Sequence, residues 1–213
     1  PLELGVWRID KEVKPVEFNP LNMESRLEGI LEEKIDIASP NWLIIGRQVR
    51  TDYGKYIDLL AIDRDTNLVV LELKKDKTAR DIIAQLLDYG SWIKELTDDR
   101  VAKIFDEYQK NSKNNTERTS LDDSFRKKFG ISMPDEINSN HELVVVASSL
   151  DPSTERIVRY LADEYAVQIN AIFFRVFQDE GREYLSRVWF RDPADMDAGI
   201  ADSSSQNEWN EEY

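Results

Sequence analysis

The sequence contains no cysteine and one histidine, His141, and each shortage excludes a class of chemistry. Without cysteine the chain has no thiol nucleophile, no disulfide framework and no zinc site built on cysteine and histidine. A Ser-His-Asp triad would have to use His141. The eight glycines are scattered, so neither G-x-G-x-x-G nor G-x-x-x-x-G-K-[ST] occurs, which excludes those two nucleotide-binding loops. Catalysis would therefore depend on carboxylates, lysines and hydroxyl groups.

Long apolar runs are also missing from the sequence. The longest run, Leu143–Ala147, is far shorter than the roughly 18 residues of a membrane helix. The N-terminus lacks a basic region followed by an apolar stretch. We therefore expect a soluble, cytoplasmic protein.

Basic residues are outnumbered, with 28 Lys and Arg against 42 Asp and Glu and a formal net charge of −14. Such a charge argues against binding to nucleic acid, which favours a basic surface. However, residues 192–213 carry seven acidic residues and no Lys or Arg, and without them the charge is −7. A moderately acidic body is compatible with a local basic site. We expect 192–213 to be a poorly ordered acidic tail leading to a further C-terminal region.

Apolar periodicity predicts a mixed α/β chain without a regular βαβ series. The predicted strands are residues 2–9, 13–18, 42–50, 57–63, 68–75, 143–147, 167–177 and 184–190. The predicted helices begin after Asn22, after Thr78 or Asp76, and after Asp151, with a polar helical region over 98–129 that is interrupted near 111–115. This order favours one mixed β-sheet with helices on both faces. We expect residues 1–191 to form a single domain.

Three charged residues interrupt strands that are otherwise apolar. Asp58 lies within Ile57–Ile62, and Glu72 and Lys74 lie near the end of the strand that begins at Leu68. Because strand residues alternate between faces, Glu72 and Lys74 point the same way. Charges in such a setting carry a desolvation penalty unless they have partners. This placement predicts that the three side chains form a site.

The register of the predicted hairpin decides whether Asp58 meets Glu72. Residues directly opposite each other in an antiparallel pair have numbers with a constant sum, and they share a face. A four-residue connection at 64–67 gives a sum of 131 and places Asp58 opposite Leu73. A five-residue connection gives 130 and a three-residue connection gives 132, which pair Asp58 with Glu72 or Lys74. The site therefore requires one of these two connections.

Such a cluster suits a divalent metal ion and phosphate chemistry. Asp58, Glu72 and a backbone carbonyl such as that of Leu73 would offer the oxygen ligands that Mg²⁺ or Mn²⁺ prefers. Lys74 would orient or help deprotonate the attacking water and stabilise charge on the phosphate. A metal ion there would polarise the phosphodiester and lower the pKa of its water. Together these groups indicate a phosphodiesterase.

The helix that follows the hairpin carries Gln85 and Tyr89 at i and i+4, on one face, where they would hold a phosphate or fix Lys74. The Asp-x13-Glu-x-Lys spacing, followed by Gln-x3-Tyr, resembles the PD-(D/E)xK restriction-endonuclease-like superfamily. Within it, the stretch looks most like the catalytic domains of the NucS/EndoMS endonucleases and their RecB-like relatives. The resemblance covers about residues 22–96. It implies a four-stranded mixed sheet flanked by helices and Mg²⁺-dependent cleavage of DNA.

The resemblance also implies a Glu-x-x-Leu helix before the hairpin, whose Glu reaches the metal site. Glu24 and Glu28 are both candidates, and Glu24 is favoured because it stands three residues before Leu27. The chain departs from the pattern at Ile57, where the relatives often have Gly or Pro before the Asp. The separate N-terminal DNA-binding domain of NucS-type enzymes cannot fit in the first 20 residues, so substrate preference does not carry over.

The sequence therefore predicts a metal-dependent DNA endonuclease and leaves open whether its substrate is branched, mismatched or single-stranded DNA. The candidate catalytic residues are Asp58, Glu72, Lys74, Gln85, Tyr89 and Glu24, and the candidate metal ligands are Asp58, Glu72, Glu24 and Glu28. One alternative is a catalytically inactive nuclease-fold module that binds nucleic acid or a protein. Another is an interaction domain whose acidic surface recruits a basic partner. The sequence is also compatible with a homodimer. His141 is interpreted as a surface residue.

Overall fold

The computed structural model describes residues 4–19, 24–74, 80–111 and 118–193. These residues form nine strands and five helices, so the predicted mixed α/β class is confirmed. The strands are β1 (Trp7–Ile9), β2 (Val13–Pro15), β3 (Glu17–Asn19), β4 (Trp42–Arg50), β5 (Tyr56–Asp63), β6 (Leu68–Leu73), β7 (His141–Ala147), β8 (Ile169–Asp179) and β9 (Arg182–Trp189). The helices are α1 (Glu24–Glu33), α2 (Asp81–Lys94), α3 (Asp98–Asn111), α4 (Leu121–Phe129) and α5 (Pro152–Tyr165), with a 3₁₀ turn at Ile35–Ile37.

Seven strands form one mixed sheet in the order β3-β8-β7-β6-β5-β4, with β9 paired to β8. Strands β4, β5 and β6 are antiparallel neighbours, whereas β6, β7 and β8 run parallel. The four strands from β4 to β7 are the mixed sheet that the resemblance implies. Strands β3, β8 and β9 enlarge it to seven, and β1 and β2 form a separate antiparallel pair.

The sheet is covered on both faces, as the order of elements predicts. All six residues of β6 are buried, which is typical of a central strand between two layers of helices. Leu68 and Val70 pack into the core on the side of α2 to α5. Val69 and Leu71 pack into a second core on the side of α1. Because β6 lies between β5 and β7, Glu72 near its end lies in the middle of the sheet.

The β5–β6 hairpin has one of the two registers that the site requires. The paired residues run from Leu59 with Leu71 to Ile62 with Leu68, so their numbers sum to 130. Asp63 pairs with β4 but not with β6, so five residues, 63–67, connect the last pair of the β5–β6 ladder. Asp63 stabilises it, because its Oδ1 accepts hydrogen bonds of 2.8 Å from the amides of Asp65 and Asn67. Extended by one position beyond Leu59, this register places Asp58 opposite Glu72.

The predicted helix starts are confirmed where the structure describes them. Oδ1 of Asp151 accepts hydrogen bonds from the amides of Ser153 and Thr154 and caps α5. The predicted caps at Asn22, Asp76 and Thr78 lie outside the described residues, as does the tail from residue 194. The polar helical region is two helices, α3 and α4. None of the helices in the described ranges is long and apolar enough to cross a membrane.

Two predictions near the strand ends are corrected. Residues 2 and 3 of the predicted first strand, 2–9, lie outside the described residues, and among residues 4–9 the strand runs from Trp7 to Ile9. This strand joins β2 in the separate antiparallel pair rather than the main sheet. His141 is half-buried at the start of β7 rather than on the surface. A β-carbon on Gly90 of α2 would lie 3.2 Å from its Nε2, so the glycine lets this helix approach the ring closely. Burial, with a contribution from the Lys94 charge, lowers the pKa of His141.

Candidate catalytic site

The open end of the β5–β6 hairpin brings Asp58 and Glu72 together. The ladder of paired residues ends at Leu59 and Leu71, and the side chain of Asp58 continues it. Its Oδ2 accepts a hydrogen bond of 2.8 Å from the backbone amide of Leu73. The carboxylate thus takes the place of a backbone acceptor, directly beside Glu72.

Glu72 is 2% exposed, and its two carboxylate oxygens have different surroundings. Oε1 accepts hydrogen bonds from Nζ of Lys74 at 2.9 Å and from Nε2 of Gln85 at 2.7 Å. Oε2 is buried and has no hydrogen-bond partner among the residues that the structure describes. A buried polar atom without a partner is costly, and a cation would satisfy it.

The local electrostatics oppose ionisation of both acids. Burial, followed by the nearby charge of Asp58, raises the pKa of Glu72 to about 7, although Lys74 works in the opposite direction. Burial also raises the pKa of Asp58, against the hydrogen bonds from Leu73 and Gln48. Two neighbouring carboxylates whose pKa values are both raised form a site at which a divalent cation would be stabilising.

Lys74 is a cation in this arrangement. Burial works to lower the pKa of Lys74, but the hydrogen bond to Glu72 and the charges of Glu72, Glu24 and Asp58 outweigh it and raise the pKa. Its ammonium group therefore donates hydrogen bonds at neutral pH. Of the two roles predicted for Lys74, orientation of the water with stabilisation of phosphate charge fits this state better than removal of a proton.

Helix α1 directs both of its candidate acids towards the pair. Oε1 of Glu28 accepts hydrogen bonds from Nε of Arg47 at 2.8 Å and from Nε2 of Gln48 at 3.0 Å. The charge of Glu28 contributes to the raised pKa of Asp58, and the charge of Glu24 contributes to that of Glu72. Among the described residues, however, no three acidic or histidine side chains converge into a group that could hold a metal ion. The structure therefore brings Asp58 and Glu72 together and sets the helix acids around them.

Gln48 of β4 belongs to this cluster, and sequence reasoning missed it. Its Nε2 donates hydrogen bonds to Oδ1 of Asp58 at 2.9 Å and to Oε1 of Glu28 at 3.0 Å. Its φ of 49° lies in the left-handed region, which is unfavourable for a residue with a side chain. The available signal was Gly46, two residues earlier, since a glycine inside an apolar strand often marks a bulge. The pairing of β4 with β5 does shift between Ile44 and Gly46.

Gln85 and Tyr89 support Glu72 rather than Lys74. Nε2 of Gln85 donates to Oε1 of Glu72 and also to Oη of Tyr89, both at 2.7 Å. Oη of Tyr89 in turn donates to the backbone carbonyl of Tyr56 at 2.7 Å. Tyr89 is 1% exposed, which leaves it no surface for a phosphate. The relay ties α2 to the beginning of β5 and fixes the orientation of the Glu72 carboxylate.

A groove of about 870 Å³ runs beside the cluster, between β4 and α3. Gln48 and Arg47 lie on its wall next to the carboxylates, and Arg50 and Arg100 lie further along it. The wall also includes the acids Glu32, Asp52 and Glu107, so its charge is mixed. Neither Asp58 nor Glu72 lines the groove, which meets the cluster at Gln48.

Comparison with known proteins bears on the motif. Over 85 residues the chain is 35% identical to Endonuclease NucS from Sulfolobus acidocaldarius, a stretch that is 40% of this chain and 34% of that protein. The match thus spans about a third of the length of this curated relative. No protein-family model matches the chain.

Two solved structures of endonucleases also align with the chain. The crystal structure of a repair endonuclease from Pyrococcus abyssi aligns with 70% of this chain and 46% of its own, at 18% identity and a TM-score of 0.41. The structure of an EndoMS–dsDNA complex aligns with 77% and 48% of the two chains, at 17% identity and a TM-score of 0.42. The match to Endonuclease NucS confirms, over the stretch that it spans, the resemblance to the NucS/EndoMS group that the Asp-x13-Glu-x-Lys motif predicts.

Proposed function

We propose that the chain is a metal-dependent DNA endonuclease whose reaction centre is the pair Asp58 and Glu72. The observation that carries this proposal is Oε2 of Glu72, a buried carboxylate oxygen without a hydrogen-bond partner among the described residues, beside a second carboxylate. Such a pair is costly for a stable fold and useful for holding a cation. The similarity of 85 residues to Endonuclease NucS supports the choice of DNA as substrate.

The donor set fits Mg²⁺ or Mn²⁺. These ions are held in proteins by one or two carboxylates together with waters and substrate phosphates, and Asp58 and Glu72 provide two. When bound, the ion would act as a Lewis acid on the phosphodiester and make a bound water more acidic. Glu24 and Glu28 would add negative charge around the same point, since their charges act on Glu72 and Asp58 respectively.

The other members of the cluster hold the reacting groups in place. The amide of Leu73 and the side chain of Gln48 fix the two oxygens of Asp58. Gln85 fixes Glu72, and the ammonium group of Lys74 is positioned to stabilise negative charge on a phosphate. Preorganised donors of this kind lower the barrier because they need no rearrangement during the reaction.

The test is cleavage of labelled branched, mismatched, single-stranded and duplex DNA in Mg²⁺ or Mn²⁺. We expect Glu72→Gln to reduce the cleavage rate by at least about 100-fold, the order of a lost catalytic charge contact. Glu95→Gln is the matched control, because Glu95 is an exposed acid at the end of α2. Cleavage that is equal in the wild type and Glu72→Gln would remove this centre from the mechanism.

One observation favours a second candidate, a nuclease-like module that binds nucleic acid without cleaving it. Within the described ranges no group of three acids or histidines is positioned to hold a metal ion. The two candidates differ in their response to Mn²⁺. A catalytic centre binds Mn²⁺ in a manner that Asp58→Asn and Glu72→Gln abolish, whereas a binding module has DNA affinity that neither the ion nor these variants change.

A further inference from the structure

The turn that joins β4 to β5, residues 51–55, has a fixed shape. The amide of Thr51 donates to the carbonyl of Lys55 at 2.9 Å, and the amide of Gly54 donates to the carbonyl of Thr51 at 3.0 Å. Thr51 is 2% exposed, and Gly54 has a φ of 77°, which glycine adopts without strain. The turn is thus a closed and internally bonded loop.

Two helices hold this turn in place through Asp52. Nε1 of Trp92 on α2 donates to Oδ2 of Asp52 at 3.0 Å. Arg100 of α3 lies 3.5 Å from Oδ1 of the same residue. The single acid of the turn is therefore neutralised, and the loop is fixed against the body of the protein.

The remaining side chains of the turn and its flanks face the solvent. Tyr53 is 63% exposed and Tyr56 is 51% exposed. Arg50 and Lys55 are exposed, and within the described ranges neither forms an ion pair. Aromatic rings interleaved with unpaired cations are the combination with which proteins bind single-stranded nucleic acid, because rings stack on bases and cations contact phosphates. A tyrosine ring also loses little side-chain entropy when it stacks, because its orientation depends on only about two χ angles.

The turn lies next to the catalytic cluster. Tyr56 precedes Asp58 by two residues, and its carbonyl accepts the hydrogen bond from Tyr89 that leads through Gln85 to Glu72. The turn is joined to the groove along β4 as well, because Arg50 lies on its wall. A strand whose phosphate reaches Asp58 and Glu72 would therefore have its neighbouring nucleotides near Tyr53 and Tyr56.

We infer that the β4–β5 turn binds unpaired DNA nucleotides next to the scissile phosphate, with Tyr53 and Tyr56 stacking on bases and Arg50 and Lys55 contacting phosphates. This inference rests on the proposed nuclease function and assigns to it a binding surface, the β4–β5 turn and its flanks, for the nucleotides next to the cleavage point. Bases within a duplex are stacked on each other and do not offer their faces to such rings.

The test is the fluorescence anisotropy of a labelled thymidine oligonucleotide and of a duplex of equal length, both in EDTA so that no cleavage occurs. We expect Tyr53→Ala and Tyr56→Ala each to weaken single-strand binding by about tenfold, within the range of a lost stacking contact. Tyr53→Phe and Tyr56→Phe keep the ring and should retain affinity within about twofold, because stacking does not need the hydroxyl. The matched control is the double variant Tyr160→Ala and Tyr165→Ala, which removes two exposed tyrosines from helix α5.

The cations give an independent measurement. Arg50→Ala and Lys55→Ala should each reduce the slope of log affinity against log salt by about 0.7, the value for one phosphate contact on a single strand. Thermal unfolding of every variant shows whether the fold is intact, and the exposure of all four side chains predicts that it is. The inference is overturned if the wild type does not bind the single strand, if the alanine variants bind it as the wild type does, or if they lose duplex binding to the same extent.

A failure of the inference about the β4–β5 turn can be distinguished from a failure of the nuclease proposal. If DNA is cleaved through Glu72 while the tyrosine variants bind normally, the centre stands and the turn is not its binding surface. If the wild type binds a single strand through Tyr53 and Tyr56 but cleaves nothing in Mn²⁺, the binding surface stands and the nuclease proposal fails.

Discussion

Asp58 accepts a hydrogen bond of 2.8 Å from the backbone amide of Leu73, the residue directly after Glu72. This contact lies one step beyond the last regular pair of the β5–β6 hairpin, Leu59 with Leu71. It fixes the separation of the two carboxylates through the backbone rather than through flexible side chains. A rigid support of this kind is what a catalytic pair requires.

The raised pKa of Glu72 predicts an unusual dependence of stability on pH. Burial raises the pKa from 4.5 in the unfolded chain to about 7 in the folded protein. The folded state then binds more protons between these values, so the free energy of unfolding falls as pH rises from 4.5 to 7. The contribution is fully present below pH 4.5 and lost above pH 7, and it amounts to about 3 kcal/mol.

Glu72→Gln should remove this dependence. The comparison is urea denaturation of the wild type and the variant at pH 5 and pH 8 without divalent metal. We expect the variant to gain stability relative to the wild type as pH rises. A difference between the two proteins that is the same at both pH values would contradict the assigned burial of the carboxylate.

A divalent ion should restore the stability that ionised Glu72 costs. At pH 8, Mn²⁺ is expected to raise the melting temperature of the wild type, because an ion that binds only the folded state stabilises it by mass action. Glu72→Gln and Asp58→Asn should lose most of this response. Differential scanning fluorimetry with increasing Mn²⁺ measures it, and Glu95→Gln serves as the control. Equal shifts in all four proteins would place the binding of Mn²⁺ elsewhere.

Gln48 has an unfavourable backbone conformation, and its side chain bridges Asp58 and Glu28. Two substitutions distinguish the effect of the backbone from the effect of the side chain. Gln48→Gly should be more stable than Gln48→Ala by about 1 kcal/mol, because glycine adopts a φ of 49° without strain. Both variants lose the amide that bridges Asp58 and Glu28, so both should cleave DNA at least about tenfold more slowly. Denaturation and cleavage rates are measured together. If Gln48→Gly cleaves as fast as the wild type, the bridge has no catalytic value.

The two acids of α1 are expected to differ in role. Glu28 is buried and accepts hydrogen bonds from Arg47 and Gln48, so Glu28→Ala should cost about 1 kcal/mol of stability by removing these two bonds. The cost is limited because Arg47 keeps its bond to Glu32 and Gln48 keeps its bond to Asp58. Glu24 is less buried, and its charge acts on Glu72 and Lys74. Glu24→Ala should therefore destabilise the protein less than Glu28→Ala does, and it should weaken the binding of Mn²⁺ more. Calorimetric titration of both variants, with denaturation alongside, checks the assignment, and the reverse order of effects would exchange the two roles.

The sequence predicted the elements of the site better than the contacts between them. Alternation along β6 predicted that Glu72 and Lys74 share a face, because strand geometry is regular there. The register was not predicted: the strand bounds read from the sequence leave a four-residue connection, whereas the structure has the five-residue connection that brings Asp58 beside Glu72. The partner of Gln85 was predicted less well. Either a phosphate or Lys74 was expected, and the helix packs so that the amide reaches Glu72 instead.

The part that could not be predicted lies where the strands depart from regular geometry. Ile57 packs into the core on the α2 side, whereas Leu59, two residues later, packs into the core on the α1 side. Strict alternation is therefore interrupted at Asp58, across from the left-handed backbone of Gln48. A pattern of period two cannot reveal such a break, since it depends on tertiary packing of β4 and β5 against two layers. Gly46 indicates a bulge in β4, but it does not show that Gln48 reaches Asp58.

A crystal structure of the protein soaked in Mn²⁺ at pH 8, with data collected for the anomalous signal of manganese, shows whether Asp58 and Glu72 bind the ion. We expect one peak between the carboxylates of Asp58 and Glu72, about 2.0–2.3 Å from Oε2 of Glu72. The same soak of Glu72→Gln should show no peak there. A wild-type crystal without a peak at this position, or with its manganese bound away from both carboxylates, would contradict the claim that these two residues form a metal-dependent reaction centre.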